Sequence, residues 1–209
     1  RGMFEGCDGL TSVTIPRSVT DLESAFAGCS RLTQVTIPDS VSRLGPNTFT
    51  SCTSLTNVVI PSSVVLIDCW AFYRCGRLAS ITIPESVVDL GPGAFESCTS
   101  LTTITIPGSV TGLGSGVFAG CTSLTNVTIP DSVTRLEPDV FRSCTSLTTV
   151  VIPPGVTSIP QMMFADCTSL TNVTLPEGIA QLERGAFQSC SRLATVTIPT
   201  SVTSIGDHA

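Results

Sequence analysis

A 23-residue repeat runs through the whole chain and constrains its fold more than any other feature. Its markers are phenylalanine at positions 4, 26, 49, 72, 95, 118, 141, 164 and 187, and cysteine three residues after each of them. The interval is broken once, between Leu22 and Phe26, where one residue is missing. Repeats of this length stack into solenoids in which each unit contacts only its neighbours. No linker interrupts the series, so we expect residues 1–209 to form one domain of about nine units.

The unit reads L-T-x-V-T-I-P-x-S-V-T-x-L-G-x-x-x-F-x-x-C-T-S from its first leucine. In LTNVTIP, Val127 and Ile129 alternate with polar residues, which predicts a strand with both side chains on its inner face. Pro130 has no amide hydrogen and ends that strand. Phe141 and Cys144 lie three residues apart, a spacing typical of one face of a helical turn. We therefore expect each circuit to contain a strand, a corner, an extended segment and a short helical turn.

The repeat resembles the BspA-like (treponemal-type) class of leucine-rich repeats, which carries L-x-x-I-x-[LI]-P, then S-V-x-x-I-G, then A-F-x-x-C. The stretches LTTITIPGSVTGLGSGVFAGC (101–121) and LASITIPESVVDLGPGAFESC (78–98) match this pattern, and the resemblance covers the whole chain. It implies an α/β solenoid, mostly β, wound as a right-handed superhelix with one long parallel sheet and short helical turns. It also implies adhesion and protein binding, at a cell surface or after secretion, without catalytic residues.

Charge and hydropathy exclude several classes of partner. The net charge is −6 and no stretch is rich in lysine or arginine, so we expect no nucleic acid partner. The mean hydropathy of +0.41 is high, yet no apolar run approaches the ~18 residues that a membrane span needs. We therefore expect no membrane insertion.

The ten cysteines raise the question of a metal or redox site. Nine of them recur singly at the repeat interval, whereas zinc sites need paired ligands that converge on one point. We expect these nine to be small buried residues that form a reduced ladder, and only Cys69 lies outside it. The single histidine, His208, lies in the last three residues, and the repeat holds no pair of acidic residues on neighbouring positions. We therefore expect no enzyme activity, no cofactor and no metal.

Outward-facing strand positions form the main candidate binding surface. Two of them per unit are polar or β-branched and almost uncharged, which suits a broad surface for a protein or glycan ligand. The candidate contacts are Asn57, Val59, Ser80, Thr82, Thr103, Thr105, Asn126, Thr128, Thr149 and Val151. Two alternatives stay open: a spacer or stalk whose threonines only keep the face soluble, and, more remotely, an ice-binding array of threonines.

One unit departs from the pattern in its aromatic residues. The stretch VVLIDCWAFYRC (64–75) holds the only tryptophan and the only tyrosine, Trp70 and Tyr73. Exposed aromatic side chains are typical anchors for ligands, so both are candidate contacts. The alternative is that Trp70 only covers Val65 and Leu66.

Both ends of the sequence fall inside a unit. RGMFEGC at the start aligns with RGAFQSC at 184–190, and the last residues stop before the next phenylalanine is due. We expect an uncapped fragment of a longer array, because solenoids protect their terminal layers with capping units. We also expect the 209-residue chain to fray or to self-associate end to end.

Overall fold

The computed structural model describes residues 2–209 as a solenoid of parallel strands, and none of these residues is helical. A helix with the length and hydropathy of a membrane span is accordingly absent from them. The strands are β1 (Ser12–Thr14), β2 (Gln34–Thr36), β3 (Arg43–Leu44), β4 (Asn57–Val59), β5 (Leu66–Ile67), β6 (Asp89–Leu90), β7 (Thr103–Thr105), β8 (Gly112–Leu113), β9 (Asn126–Thr128), β10 (Arg135–Leu136), β11 (Thr149–Val151), β12 (Ser158–Ile159), β13 (Asn172–Thr174), β14 (Gln181–Leu182) and β15 (Ser204–Ile205).

The strands form two ladders, one on each side of the proline corner. The first ladder contains the sheets β1-β2-β4 and β7-β9-β11-β13, and the second contains β3-β5-β6-β8-β10 and β12-β14-β15. Pairing keeps equivalent residues opposite each other, so Val35 lies between Val13 and Val58. The expectation of one long sheet is therefore wrong. The register that aligns the first strands of successive units also aligns the extended segments after the corner, and these pair as well.

The expected short helical turns are also wrong, because left-handed residues flank each phenylalanine. Around Phe49, for example, Asn47 has φ 57° and Ser51 has φ 59°. A right-handed helix does not accommodate such residues. The Phe49 amide instead donates a hydrogen bond to the Ala71 carbonyl of the next unit, at 2.7 Å. The turn is therefore a third set of links between units, and the Phe–Cys spacing of three belongs to a turn rather than to a helix.

Phenylalanine rings form a continuous stack along the core. Neighbouring rings have centroids between 5.3 Å and 5.8 Å apart, from Phe4 to Phe187. The seven rings from Phe26 to Phe164 are buried, and the apolar core around them extends without a break from Ile15 to Ala186. Each unit thus buries its apolar side chains against copies of themselves.

The cysteine ladder has a hydrogen-bonding role that its spacing did not reveal. The Phe26 carbonyl accepts the Cys29 amide of its own unit at 3.0 Å and the Cys52 thiol of the next unit at 3.1 Å. The same thiol-to-phenylalanine contact recurs down to Cys190. A thiol is small and apolar enough for the core and still satisfies the second lone pair of a buried carbonyl.

All ten thiols are free, which agrees with a reduced ladder. The expectation that all nine ladder cysteines are buried is wrong for Cys7, which is exposed, and for Cys190, which is half-buried. Cys69, outside the ladder, is half-buried beside Asp68. Burial, together with the Asp68 carboxylate, raises the pKa of the Cys69 thiol.

We expect Phe118→Ala to lower the free energy of unfolding by about 3–5 kcal/mol, because it opens a cavity in the middle of the ring stack. Thr128→Ala is the control and should change stability by less than about 0.5 kcal/mol, since its side chain is exposed. Urea unfolding followed by circular dichroism measures both. A loss below about 1 kcal/mol for Phe118→Ala would contradict the buried stack.

We expect the free energy of unfolding to fall as the pH rises above 9. Unfolded thiols ionise near their ordinary pKa of 9.0, whereas burial raises the pKa of Cys52, Cys121 and Cys167 to about 12. A raised folded-state pKa gives a stabilising contribution that is complete below the unfolded value. Each such thiol loses about 1.4 kcal/mol of that contribution per pH unit on the way to the folded value.

Urea unfolding at increasing pH, up to about pH 10.5, measures this loss. Cys121→Ala should make the decline shallower by roughly the contribution of one thiol. A stability that stays constant over this range would show that the ladder thiols ionise as easily in the folded chain as in the unfolded one.

Candidate functional site

The ten strand positions proposed as ligand contacts all lie exposed on one surface, which we call the strand face. The middle residue of each three-residue strand points inward and its two neighbours point outward. Parallel register places Thr103 beside Asn126 and Thr105 beside Thr128. The outward residues therefore form two columns along the solenoid. The structure brings these candidates together, and their role in binding stays a prediction.

A ladder of threonine hydroxyls borders the strand face. The hydroxyl of Thr56 donates to the Thr33 carbonyl at 3.1 Å, and the Thr56 amide donates to the same carbonyl at 3.0 Å. The residues that repeat this side-chain contact are Thr33, Thr56, Thr102, Thr125, Thr148 and Thr171. Each unit is thus tied to the previous one through backbone and side chain at the same point.

The ladder fails where alanine replaces this threonine. Ala79 has no hydroxyl, and in the described part of the chain no backbone hydrogen bond joins residues 56–60 to 79–83. A cleft of about 280 Å³ opens there between Asn57–Ile60 and Ser80–Thr82, and we call it the seam. Ala194 repeats the pattern, because residues 193–198 of its unit form no strand. The sequence analysis predicted neither the seam nor the missing strand at Ala194, although both substitutions of alanine for threonine are visible in the sequence.

A concavity of the strand face lies over β1 and β2, and we call it the strand groove. Its volume is about 680 Å³, and its lining includes Thr14, Arg17, Gln34, Thr36, Asp39 and Val59. Only Val59 of these was among the sequence-based candidates. Arg17 and Asp39 each follow the proline of their unit, a position that is often charged in this chain. Charged residues at this position are the sequence signal that could have predicted a charged rim for the strand groove.

Trp70 and Tyr73 lie on a different surface, formed by the residues around the stacked phenylalanines, which we call the turn face. Trp70 has φ 54° and is 45% exposed, and Tyr73 is half-buried. The Arg74 guanidinium lies 5.0 Å from the Tyr73 ring centroid. The indole lies against Gly93 of the next unit, where an added Cβ would be 2.5 Å from Trp70 Cδ1. Val65 stays 47% exposed, so Trp70 does not bury it.

Residues 2–209 contain no group of three or more histidine, cysteine, aspartate or glutamate side chains that could hold a metal ion.

Comparison with known sequences identifies the repeat. The profile of the BspA type leucine rich repeat region, in six copies, matches residues 1–102 and 89–209. A search of curated proteins finds no significant match.

Solved structures show the same fold. The chain is similar to a leucine rich cell surface protein from Faecalibacterium prausnitzii, with 30% identity over 100% of this chain and 69% of that one, at a TM-score of 0.64. It is similar to the leucine rich repeat protein of T. pallidum, with 29% identity over 88% of this chain and 78% of that one, at a TM-score of 0.63. A leucine-rich repeat protein from Bacteroides ovatus, with 24% identity over 98% of this chain and 77% of that one, has a TM-score of 0.52 and supports the fold alone.

We expect Ala79→Thr to close the seam, because the new hydroxyl can donate to the Thr56 carbonyl as its counterparts do. The free energy of unfolding should rise by about 0.5–1.5 kcal/mol, and amide exchange at residues 79–82 should slow. Thr125→Ala is the reverse change and should lower stability by a similar amount. Hydrogen exchange read by mass spectrometry measures both, and unchanged exchange at 79–82 in Ala79→Thr would mean that the hydroxyl does not control the seam.

Proposed function

The chain belongs to the family of BspA-type leucine-rich repeat proteins, and on this premise we propose that it is a non-catalytic binding module for a protein ligand. Leucine-rich repeat proteins generally bind proteins. The observation that carries the proposal is the strand face, where two columns of exposed, nearly uncharged side chains run beside the strand groove. Such a surface loses little hydration energy when a partner covers it, because few charged groups must be desolvated.

The strand face favours a protein over a glycan as its ligand. Val59 is 54% exposed and Val151 is 63% exposed, so both offer apolar area to a partner. Arg17 and Asp39 at the strand groove add one charge of each sign, which suits hydrogen bonds at the rim of a protein interface. Its candidate positions include no aromatic ring on which a sugar would stack.

We propose that the module acts at a cell surface or after secretion. The support is the similarity to the F. prausnitzii protein, which is described as a cell surface protein. A spacer or stalk without a specific ligand is the alternative, and it predicts that the strand face tolerates substitution everywhere. Ice binding is less well supported, because the first column mixes asparagine, serine and threonine and is interrupted at the seam.

The test is binding of the 209-residue chain to immobilised extracellular-matrix and host-surface proteins, measured by biolayer interferometry. We expect saturable binding to at least one of them, and we expect Val59→Glu to weaken it roughly tenfold, because the change places a charge in the strand groove. Val88→Glu is the matched control, since Val88 is 51% exposed but lies outside the strand face. It should leave the affinity unchanged.

Equal effects of Val59→Glu and Val88→Glu on the affinity would contradict the proposed surface. Normal binding by both Val59→Glu and a second strand-face variant, Val151→Glu, would also contradict it. Capture of none of the proteins would favour the spacer. Light scattering on the same sample measures the end-to-end association expected from the sequence, which stays a prediction.

A further inference from the structure

The turn face carries a groove of about 450 Å³ that binding at the strand face does not use. Trp70 lies at one end of this turn groove, and Asp139 and Arg142 lie at the other. Its floor is made of small residues, among them Gly93, Gly116 and Ala119. The groove therefore combines an aromatic wall, a charged wall and a floor of small residues between them.

The turn groove exists because one repeat position holds a tryptophan, two glycines and an aspartate in successive units. Trp70, Gly93, Gly116 and Asp139 each lie two residues before a stacked phenylalanine, and their φ angles are 54°, 60°, 60° and 62°. Two glycines in the middle leave a trough between the larger side chains. Three inter-strand spacings of ~4.8 Å make it roughly 14 Å long. That length and the cavity volume suit a ligand of about two sugar rings.

The aromatic wall is held in place before any ligand arrives. One edge of the Trp70 indole packs on Gly93, where an added Cβ would lie 2.6 Å from Trp70 Nε1 and 3.0 Å from Glu96 Oε2. The indole is still 45% exposed, so part of the ring remains available. A ring fixed in this way loses little conformational entropy on binding.

The charged groups around the turn groove nearly cancel. Arg142 Nη1 lies 3.5 Å from Asp139 Oδ1, an oxygen that is buried and makes no hydrogen bond. Burial raises the pKa of Glu96, the charge of Arg74 acts in the opposite direction, and that of Asp139 raises it further. Two carboxylates thus face two guanidinium groups. This balance disfavours phosphate or carboxylate ligands and gives little net attraction for a cation.

The floor also disfavours an apolar peptide. Glycine and serine form no apolar pocket for a leucine or phenylalanine side chain, and anchor residues in such pockets supply most of the binding energy at peptide sites. Carboxylates that accept and guanidinium groups that donate hydrogen bonds are, in contrast, what vicinal hydroxyl groups need. The C–H face of a pyranose ring also complements the electron-rich face of an indole.

We propose that the turn groove is a binding site for a neutral saccharide. One sugar ring stacks on the Trp70 indole, and the hydroxyls of that ring and its neighbour bond to Glu96 and Arg142. The site does not depend on the protein ligand of the strand face, because the two surfaces share none of the residues that carry them.

The test uses Trp70 as its own reporter, because it is the only tryptophan in the chain. Maltose, cellobiose, lactose and N,N′-diacetylchitobiose are titrated into the 209-residue chain, followed by an array of immobilised neutral glycans. We expect at least one of these sugars to change the tryptophan emission saturably, with a dissociation constant on the order of 1 mM or tighter. Arg142→Gln, which keeps the reporter and places the residue found at the equivalent Gln188, should weaken that binding several-fold.

Two further variants, read by calorimetry, test whether the indole is the platform. Trp70→Asn places the residue that Asn47 provides at the same left-handed position, so the turn should fold normally and saccharide binding should fall at least roughly tenfold. Met162→Asn makes the same change at the equivalent position outside the groove and should leave binding unchanged.

Three results would overturn the proposal. The first is no change in tryptophan emission with any neutral glycan, and the second is a saccharide affinity of folded Trp70→Asn equal to that of the unchanged chain. The third is a change in emission when a lysine-rich peptide is titrated instead, with none for the sugars. Because Val59→Glu and Val88→Glu do not touch the turn groove, the saccharide result is read separately from that for the strand face.

Discussion

Nearly every interior side chain of this solenoid packs against the equivalent side chain of the next unit, and the rest of the structure follows from that constraint. Backbone hydrogen bonds hold successive units one strand spacing apart, so the phenylalanine rings meet at 5.3–5.8 Å and stack nearly in parallel. The ladder thiols can reach the phenylalanine carbonyl of the previous unit for the same reason. The larger differences between units lie on the outer faces, although one interior position also varies and holds Thr48, Ala71 or Met163 in different units.

The sequence predicted the parts of the fold that depend on one unit repeated. The alternation around Val127 placed the strand and its inner face correctly, and the proline after Ile129 marked its end. It did not predict the turn around Phe72, because a left-handed residue is signalled by glycine or asparagine and Trp70 hides that signal. It did not predict the seam either, since the effect of Ala79 on strand pairing depends on the Thr56 carbonyl one unit away.

The candidate sites show the same limit. The exposure of strand positions such as Thr105 and Thr128 follows from alternation within one unit, so it could be predicted. The turn groove depends on what successive units place at one position, and the space above Gly116 is enclosed as a groove only because Trp70 and Asp139 lie on either side of it. Two faces of one array therefore carry different chemistry: a broad, weakly polar surface, and a short trough with an aromatic end.

The seam at Ala79 also has a mechanical meaning. Units on its two sides are joined through β5 and β6 and through the turn, but not through the strand face, so this junction has fewer bonds than its neighbours. A force that pulls the solenoid along its axis would concentrate there, again at Ala194, and between β10 and β12, which do not pair. A protein tethered between a cell and a bound partner would then lengthen in discrete steps at fixed places. It would act as an extensible link in which the interruptions in strand pairing set the order of opening.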